Sequence, residues 1–565
     1  MPGINVLQDK YFAELDDLAP DDNGYSFQYA GNTVNTLVDG NAYFGALRTE
    51  VNALKAPAGT GKFFYFSNWL LTLLDSAGGV VSAGSGVTSW DTAPVGPAKA
   101  FKLDDGSGAA FPDFIDELAE MAANGTDVRA LVWVSPLMLS YQDAANRAGV
   151  VYSNNALSAL SVHALRQKPG LANKACLNTL AHPLGSIHIK MVLCGDATGA
   201  RAYISGIDFD RSRVDLDTHP AATGWHDAGI RIEGPATRGA YAAYRTMWNE
   251  LLSNKQETFR IGDTRIDNYV EGTPALSDSP PFDAPSAGSA WVQILRTVPQ
   301  MNFAFDSTER VPVGCFARLV SGFRRRAWKS APDGIFAFKA SLEKAIRSAE
   351  KYIYVEDQGF WGVPIMDWLR DRLAARPNLK LIMVQRADPA DGPGVIHYMT
   401  NAINHHLGSA GGNMDAQVAF YARDDAVVMH SKSWIIDDEF LIVGSANAFR
   451  RSLYTDGEVS VGVIDENAGA TNAAVIYRKQ LWGEYCGLHT EAARAVLDDI
   501  DMALKIWDPG WGGVGAAPAA LLPVYKRKRV PFEIGAASNQ WPALDLTPLP
   551  DVLYDQVDGD SRKEY

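Results

Sequence analysis

Residues 429–458 have the sequence MHSKSWIIDDEFLIVGSANAFRRSLYTDGE, and this stretch decides the fold around it. Two short apolar runs, 434–436 and 440–443, are separated by the polar residues DDE. Short apolar runs bounded by polar or glycine residues predict buried strands, joined here by a turn. Side chains two positions apart on an extended chain share one face, so we expect His430 and Lys432 to project together.

This His–Lys pair suits chemistry on a phosphate group. An imidazole can act as a nucleophile or as a general acid near neutral pH, and an ammonium group can hold a phosphoryl oxygen. The triplet H-x-K alone is equally typical of a solvated histidine and lysine at the start of a strand. The longer pattern H-x-K-x4-D-x6-G-S-x-N, which ends with Ser445 and Asn447, is far more specific.

A related pattern occurs in the first half of the chain. His188 and Lys190 again stand two positions apart before an apolar run, and Ser205 and Asp208 lie at the end of the next apolar run. Together the two patterns resemble the signature of the phospholipase D superfamily, whose members pair two such motifs in one active site.

The first copy departs from that signature at two positions. Gly195 occupies the place of the motif aspartate, with Asp196 one residue later, and Asp208 replaces the asparagine. We expect a looser turn over residues 195–199 and a working half-site, because the histidine and the lysine are both present.

The fold class expected is α/β. The chain has 565 residues, too many for one core, and each half shows strand, helix and strand patterns before its His–Lys pair. The resemblance implies two pseudo-repeated α/β/α sandwich domains of the phospholipase D type, packed about a pseudo-twofold axis with the active site at their interface. The expected division is a first half at 1–276, a proline-rich linker at 277–290, a second half at 291–510 and a C-terminal extension at 511–565.

The individual elements follow from apolar periodicity and turn residues. Residues 1–60 are expected to be mostly loop. Helices are predicted at 42–54, 114–122, 154–167, 340–349 and 365–373, and strands at 63–66, 128–134, 352–355 and 379–384.

The resemblance also implies a mechanism that passes through a phosphohistidine, with no cofactor and no metal. We expect His188 to be the nucleophile and His430 the acid and then the base, although the sequence itself does not separate these roles. The groups expected to hold the phosphoryl group are Lys190, Lys432, Asp208, Asn447, Ser445 and Ser205.

Two further acids have expected roles. Asp227 and Glu458 follow their motifs where the family carries an acid that bonds the ring of the histidine in its own half. Asp437 and Asp196 are expected to fix the strand turns and not to touch substrate.

Composition limits the partners. The formal net charge is −15, which argues against a general nucleic-acid binder, since such proteins usually carry a basic footprint. A phospholipid at a membrane or micelle surface is the expected partner. The four cysteines are widely spaced and predict neither a zinc site nor a disulfide scaffold.

The sequence also bears on location. Residues 1–20 lack the apolar core of a signal peptide, and no run is long and apolar enough to predict a transmembrane segment. We therefore expect cytoplasmic residence by default, with secretion by a signal-free route as the alternative. The oligomeric state is open, with a monomer as the default.

The function expected is hydrolysis of the distal phosphodiester of glycerophospholipids to phosphatidic acid and a free headgroup. Three alternatives stay open at this point. They are a phosphatidyltransferase or synthase of the same superfamily, a nuclease, and a catalytically inert phosphate- or phospholipid-binding protein.

Overall fold

The fold is taken from a computed structural model, which covers fifteen stretches of the chain. The structure describes residues 3–14, 27–57, 59–73, 101–135, 154–182, 185–220, 224–261, 264–299, 327–360, 362–385, 407, 414–423, 427–515, 517 and 527–530.

The strands are numbered in chain order. They are β1 (Gln28–Val38), β2 (Phe63–Asn68), β3 (Asp127–Trp133), β4 (Ala175–Asn178), β5 (Met191–Asp196), β6 (Gly199–Ser205), β7 (Trp225–His226), β8 (Ala228–Glu233), β9 (Thr258–Ile261), β10 (Thr264–Asp267), β11 (Ala290–Val298), β12 (Ile335–Phe336), β13 (Tyr352–Asp357), β14 (Lys380–Gln385), β15 (Val418–Arg423), β16 (Val428–Met429), β17 (Ser433–Ile436), β18 (Phe440–Gly444), β19 (Glu458–Asp465) and β20 (Arg527–Val530).

The α-helices lie between these strands and at the ends of the described chain. They span Ile4–Tyr11, Asp39–Lys55, Phe114–Ala123, Asn154–Arg166, Thr237–Ser253, Ala337–Ser348, Val363–Ala375, Met414–Gln417, Arg450–Tyr454, Ala473–Tyr485, Glu491–Arg494 and Ile500–Trp507.

One large sheet organises the molecule. Outward from its centre, the first half has the strand order β1-β8-β6-β5-β2-β3-β4, and the second half has β11-β19-β18-β17-β13-β14-β15-β20. The halves join where β1 pairs antiparallel with β11. Because strands at matching positions follow one another in the same order, the two halves are a structural repeat.

The pairing directions repeat as well. From β1 to β2, and from β11 to β13, successive neighbours are antiparallel, and the outer pairs β2–β3, β3–β4, β13–β14 and β14–β15 are parallel. The parallel strands of the repeat are linked by crossover helices, as parallel pairing requires. The predicted α/β class and pseudo-repeat are confirmed, whereas the exact domain bounds stay a prediction.

The halves also pack face to face. β6 and β8 lie in contact with β18 and β19, although these strands are not neighbours in the sheet. One buried hydrophobic cluster continues across this contact, and it includes Ile204 and Ile230 from the first half with Ile294 and Val461 from the second. The burial of these apolar side chains from both halves stabilises their interface.

The predicted turn after β5 needs a correction. Asp196 pairs with Gly199, so only Ala197 and Thr198 separate the two strands of this hairpin. The turn is therefore tight, not loose. Asp196 Oδ1 accepts hydrogen bonds from the backbone N and Oγ1 of Thr198 at 2.8 and 2.6 Å, which closes the turn.

Other expectations concern the chain outside the large sheet. Residues 277–289 contain no helix or strand, as a linker requires, and the predicted extension 511–565 lies mostly outside the described residues. Cys176, Cys194 and Cys486 are buried, and Cys315 lies outside the described residues. None of the described helices has both the length and the apolar character to cross a membrane.

Candidate active site

The two His–Lys pairs occupy matching places, immediately before β5 and immediately before β17. Each histidine then bonds to the other half through its backbone. The N–H of His188 donates to the carbonyl of Gly457 at 2.8 Å, and the N–H of His430 donates to the carbonyl of His226 at 2.8 Å. These matched bonds place each histidine beside the segment that carries the acid of the opposite half.

The side chain of each histidine also contacts the opposite half. Nδ1 of His430 lies 2.7 Å from Oδ2 of Asp227, and Nδ1 of His188 lies 3.3 Å from Oε2 of Glu458. The prediction that each acid orients the histidine of its own half is therefore wrong. Each acid directly follows the carbonyl that bonds the opposite histidine, and the order of residues along the chain carries no sign of this crossing.

The ring contacts fix the tautomer of His188. Its Nδ1 lies 2.9 Å from the carbonyl oxygen of Ser445, which can only accept a hydrogen bond. Nδ1 therefore carries the proton, and Nε2 keeps its lone pair. About 12 % of the His188 side chain is exposed, so a substrate can reach this ring.

Burial sets the ionisation of both rings. Burial, followed by the charges of Lys190 and Lys432, holds the pKa of His188 well below its usual value. Burial and then Lys432 and Arg213 do the same to the pKa of His430. Both imidazoles are thus neutral at neutral pH, and an anion bound among these cations would raise both pKa values.

The two acids are buried, each with its own set of partners. Burial raises the pKa of Asp227 to about 6 and the pKa of Glu458 to about 7. Glu458 accepts hydrogen bonds from Ser445 Oγ at 2.5 Å and from Ser452 Oγ at 2.7 Å. Asp227 accepts one from the backbone N–H of Ala228 at 2.8 Å.

Both lysines are buried cations that reach back along the chain. Lys190 Nζ donates to the carbonyl of His188 at 2.9 Å and lies 3.7 Å from Asp208 Oδ2. Lys432 Nζ donates to the carbonyl of His430 at 2.5 Å. Burial lowers the pKa of both ammonium groups, and the pKa of Lys432 falls to about 8.

Asp208 and Asn447 stand at matching positions with different partners. Oδ1 of Asp208 accepts from the backbone N–H groups of Trp69 and Leu70 at 3.1 and 2.9 Å and from Asn68 Nδ2 at 3.5 Å. Oδ1 of Asn447 is buried and has no hydrogen bond. Asn447 therefore has a free polar atom for a substrate, whereas Asp208 mainly holds the loop after β2.

The two serines predicted to bind substrate are engaged within the protein. Ser205 Oγ accepts from the backbone N–H of Ile207 at 3.1 Å. Ser445 Oγ donates to Glu458 and accepts from the backbone N–H of Val459 at 3.0 Å. These contacts give both serines supporting roles within the protein, and their contact with substrate stays a prediction.

Asp437 behaves as the sequence predicts. Its carboxylate accepts from the backbone N–H groups of Glu350, Lys351 and Tyr352 at 2.7–2.8 Å. It thereby ties the β17–β18 turn to the start of β13 and touches none of the His–Lys groups.

Sequence reasoning missed three groups near the rings. Arg213 is buried, its charge acts on His430, and its Nε and one terminal nitrogen have no hydrogen bond. Trp69 lies edge-on to His188 at 6.0 Å between ring centroids, and Trp225 lies edge-on to His430 at 5.2 Å. The position of Trp225 two residues before the acid was the one available signal.

A second group of titratable side chains lies behind the site. Asp39, His219, His226 and Glu484 each offer one ligand atom, and these atoms lie within 4.8 Å of one another. We refer to these four residues as the His–acid cluster. They have the chemistry of a metal-binding set, and none belongs to a His–Lys pair.

The chain is similar to several known proteins. A family model described as "Cardiolipin synthase, PLD-like domain" matches residues 342–482. Phospholipase D alpha 1 of Nicotiana tabacum is 36 % identical over 367 residues, which cover 50 % of this chain and 43 % of that protein. Phospholipase D alpha 2 of Oryza sativa subsp. japonica is 25 % identical over 376 residues, with coverages of 50 % and 43 %. The chain thus spans less than half the length of these relatives.

Among solved structures, the phosphatidylserine synthase of Haemophilus influenzae Rd KW20 has a TM-score of 0.42 at 10 % identity. The match covers 79 % of this chain and 85 % of that one. The sequence relatives, the family model and the two matched His–Lys half-sites support the same superfamily. The chain belongs to the phospholipase D superfamily.

Proposed function

We propose that this chain is a phospholipase D that hydrolyses the distal phosphodiester of glycerophospholipids to phosphatidic acid and a free headgroup alcohol. One observation carries the proposal. Two imidazoles, each followed by a buried lysine, share one site, and an acid from the opposite half holds Nδ1 of each ring. This arrangement supplies a nucleophile, an acid–base group and a cationic cradle for one phosphoryl group.

In the first step, Nε2 of His188 attacks phosphorus. A P–N bond forms, the P–O bond to the headgroup breaks, and protonated His430 gives its proton to the departing oxygen. The anionic phosphodiester raises the pKa of His430 on binding, and Asp227 stabilises the imidazolium. Lys190, Lys432 and Asn447 hold the non-bridging oxygens.

In the second step, neutral His430 takes a proton from water. The water oxygen attacks phosphorus, the P–N bond breaks, and its electron pair returns to Nε2 of His188. An alcohol in place of water gives a phosphatidyl alcohol by the same route, so transphosphatidylation is part of the proposal.

We assign the nucleophile to His188 and the acid–base role to His430, as the resemblance implies. The contacts support this division. Nδ1 of His430 has the shorter contact to a carboxylate, 2.7 Å against 3.3 Å, and a close carboxylate favours the charged ring that an acid requires.

Phosphatidyl transfer to a dedicated acceptor alcohol is the second candidate. It is favoured by the description of the matching family model, which names a cardiolipin synthase. Both candidates share the phosphohistidine, and they differ in whether water or an alcohol completes the reaction.

The test is incubation with micelles of mixed-headgroup phospholipids and some ethanol, with products identified by mass spectrometry. The wild-type chain is expected to form phosphatidic acid and phosphatidylethanol. His188→Ala and His430→Ala are each expected to lose a factor of roughly 10²–10⁴ or more in rate. His163→Gln, on the helix Asn154–Arg166, is the matched control and should retain activity.

The products also separate the alternatives. Phosphatidylethanol without phosphatidic acid would favour the transferase over the hydrolase. Absence of product with every headgroup would contradict both lipid functions, and nucleic acid would be the next substrate tested.

A further inference from the structure

The His–acid cluster lies behind the active site and draws on both halves of the chain. Asp39 begins the helix Asp39–Lys55, His226 belongs to β7, and Glu484 lies near the end of the helix Ala473–Tyr485. The four side chains are at most 1 % exposed. So many buried titratable groups require compensating partners, because isolated charges are costly to bury.

The inward atoms of the cluster stand at the separations of metal ligands. Nε2 of His219 lies 3.6 Å from Asp39 Oδ2 and 2.8 Å from Glu484 Oε1. Nδ1 of His226 lies 3.2 Å from Asp39 Oδ1 and 2.9 Å from Glu484 Oε2. Nitrogen and oxygen ligands around tetrahedral zinc stand about 3.3 Å apart, given bonds of about 2.0–2.2 Å.

Three of these inward atoms make no hydrogen bond outside the cluster. They are Oδ2 of Asp39, Nδ1 of His226 and Oε2 of Glu484. The other oxygen of each carboxylate is in use, since Asp39 Oδ1 accepts from the backbone N–H of Asp227 at 3.1 Å and Glu484 Oε1 accepts from Arg423 at 2.5 Å. The unbonded atoms therefore face one another in the interior, as ligands of a shared cation would.

The outward nitrogen of each imidazole is held by a further carboxylate. Nδ1 of His219 lies 2.7 Å from Asp215 Oδ2, and Nε2 of His226 lies 3.0 Å from Glu356 Oε2. Histidines that bind metals almost always donate their other N–H to a carboxylate, a carbonyl or water, which fixes the ring and strengthens the ligand.

The charges call for a cation. Among the described residues, the cluster and its contacts contain four carboxylates, of Asp39, Asp215, Glu356 and Glu484, and the guanidinium of Arg423. With both imidazoles neutral, four negative charges and one positive leave a net −3. Either one divalent cation or two extra protons on the histidines reduce this charge to −1.

We propose that Asp39, His219, His226 and Glu484 form a binding site for one divalent transition-metal ion, for which Zn²⁺ is the best match. Two imidazoles and two carboxylates suit zinc better than calcium or magnesium, which prefer oxygen ligands alone. With all four positions filled by protein, the ion is structural. It ties the first half to the second and leaves the phosphoryl chemistry to the His–Lys pairs.

The site has a direct path to the reaction centre. The backbone N–H of Asp39 donates to the carbonyl of Asp227 at 2.8 Å, and the N–H of Asp227 donates back to Asp39. Asp227 in turn holds His430. Metal binding therefore fixes the acid that positions one of the two histidines.

The first test measures metal in the full chain purified without chelators, by inductively coupled plasma mass spectrometry. We expect about one zinc per chain. After removal of the metal with a chelator, Co²⁺ should rebind with the intense visible absorption of a tetrahedral site, and added Zn²⁺ should raise Tm in a concentration-dependent manner.

The second test uses variants. His219→Gln and Glu484→Gln should lose stoichiometric metal, and Asp215→Asn, which keeps all four ligands, should bind zinc about 10–100-fold more weakly. His489→Gln is the matched control, because His489 also contacts a carboxylate, Asp217, outside the cluster. It should retain the metal in full.

One result would overturn the proposal without any variant. If the wild-type chain carries no stoichiometric metal and takes up neither Co²⁺ nor Zn²⁺ after chelator treatment, the cluster is an ion-pair network of two protonated histidines. Burial opposes that charge, but hydrogen bonds to Asp215 and Glu484 raise the pKa of His219 to about 9.

Discussion

The two halves of the molecule have the same strand order, but one carboxylate and one amide stand at exchanged positions in the two halves. At the end of β2 stands Asn68, and its counterpart at the end of β13 is Asp357. After β6 stands Asp208, and its counterpart after β18 is Asn447. Each half therefore has one carboxylate and one amide at these two positions, on exchanged strands.

In both halves the carboxylate accepts hydrogen bonds from backbone N–H groups. Asp208 accepts from the backbone of the loop after β2, and Asp357 accepts from the backbone N–H groups of Gly359 and Ala448 at 3.0 and 2.7 Å. Asp208 lies 3.7 Å from Lys190, and the charge of Lys432 acts on Asp357. Asn68 thus supplies the amide that the first motif lacks at position 208. Each half keeps one carboxylate and one amide at these two places.

A second difference concerns the acids that hold the histidines. Ser445 supports Glu458 in one half, and its counterpart in the other half is Gly206, where a Cβ atom would lie 2.1 Å from Oδ1 of Asp227. The shorter acid therefore comes so close to the chain that only glycine fits. Asp227 has fewer supports than Glu458 but the shorter contact with its histidine.

The largest expected effect tests the crossing of acids and histidines. Asp227→Asn should lower kcat by about 10²–10⁴, because Asp227 stabilises the imidazolium of His430. Glu458→Gln should cost about tenfold, since the carbonyl of Ser445 still accepts from Nδ1 of His188. Steady-state kinetics on one phospholipid measures both.

A substrate with a p-nitrophenol headgroup separates the crossed arrangement from the uncrossed one. This leaving group needs no proton, so formation of the phosphoenzyme should recover in Asp227→Asn and in His430→Ala, measured as a burst of nitrophenol. Glu458→Gln should show no such recovery. Recovery in Glu458→Gln in place of Asp227→Asn would assign each acid to its own half.

An intermediate effect concerns pH, the two acids and Lys432. The profile of kcat/KM should fall below about pH 7 to 6, as Glu458 and Asp227 take up protons and lose the ability to accept from Nδ1–H. It should fall again above about pH 8, as Lys432 loses its proton. Lys432→Arg should move the alkaline limb upward, because a guanidinium stays charged. An unmoved alkaline limb would assign that limb to another group.

The smallest effect tests the exchanged pair. Asp208→Asn should lower the free energy of unfolding by about 1–3 kcal/mol, because it removes the charge beside Lys190 and places two amides together. The double variant Asn68→Asp/Asp208→Asn, which copies the second half, should recover about 1 kcal/mol of that loss. Urea unfolding of the wild type, Asn68→Asp, Asp208→Asn and the double variant gives the coupling energy. Strict additivity would mean that the two positions are independent.

Much of the fold was predictable because its elements are strongly apolar. The predicted strand at 63–66 is confirmed within Phe63–Asn68, and the predicted helix at 365–373 within Val363–Ala375. The strand Gln28–Val38 was missed, and residues 1–60 are less loop-rich than expected. The sequence of this strand, QYAGNTVNTLV, lacks a clear apolar pattern, because even its two buried residues, Asn32 and Thr36, are polar.

The site was predictable as a set of residues and not as a set of contacts. The spacing of His188 and Lys190, and of His430 and Lys432, identifies the chemical groups. Which acid meets which histidine depends on contacts between residues more than 200 positions apart, and local patterns carry no information about them. The His–acid cluster was missed for the same reason, since Asp39 and Glu484 are far in sequence from its two histidines.

The crossing of acids and histidines has a consequence during synthesis. Glu458 follows His188 by 270 residues, and a ribosome adds about 5–20 residues per second, so roughly 15 to 50 s pass between the two. A nascent chain that already contains the first His–Lys pair therefore lacks the carboxylate that lies beside His188 in the folded protein. On the proposed mechanism, incomplete chains are expected to be inert until the segment that carries Glu458 has been synthesised and has docked against the first half.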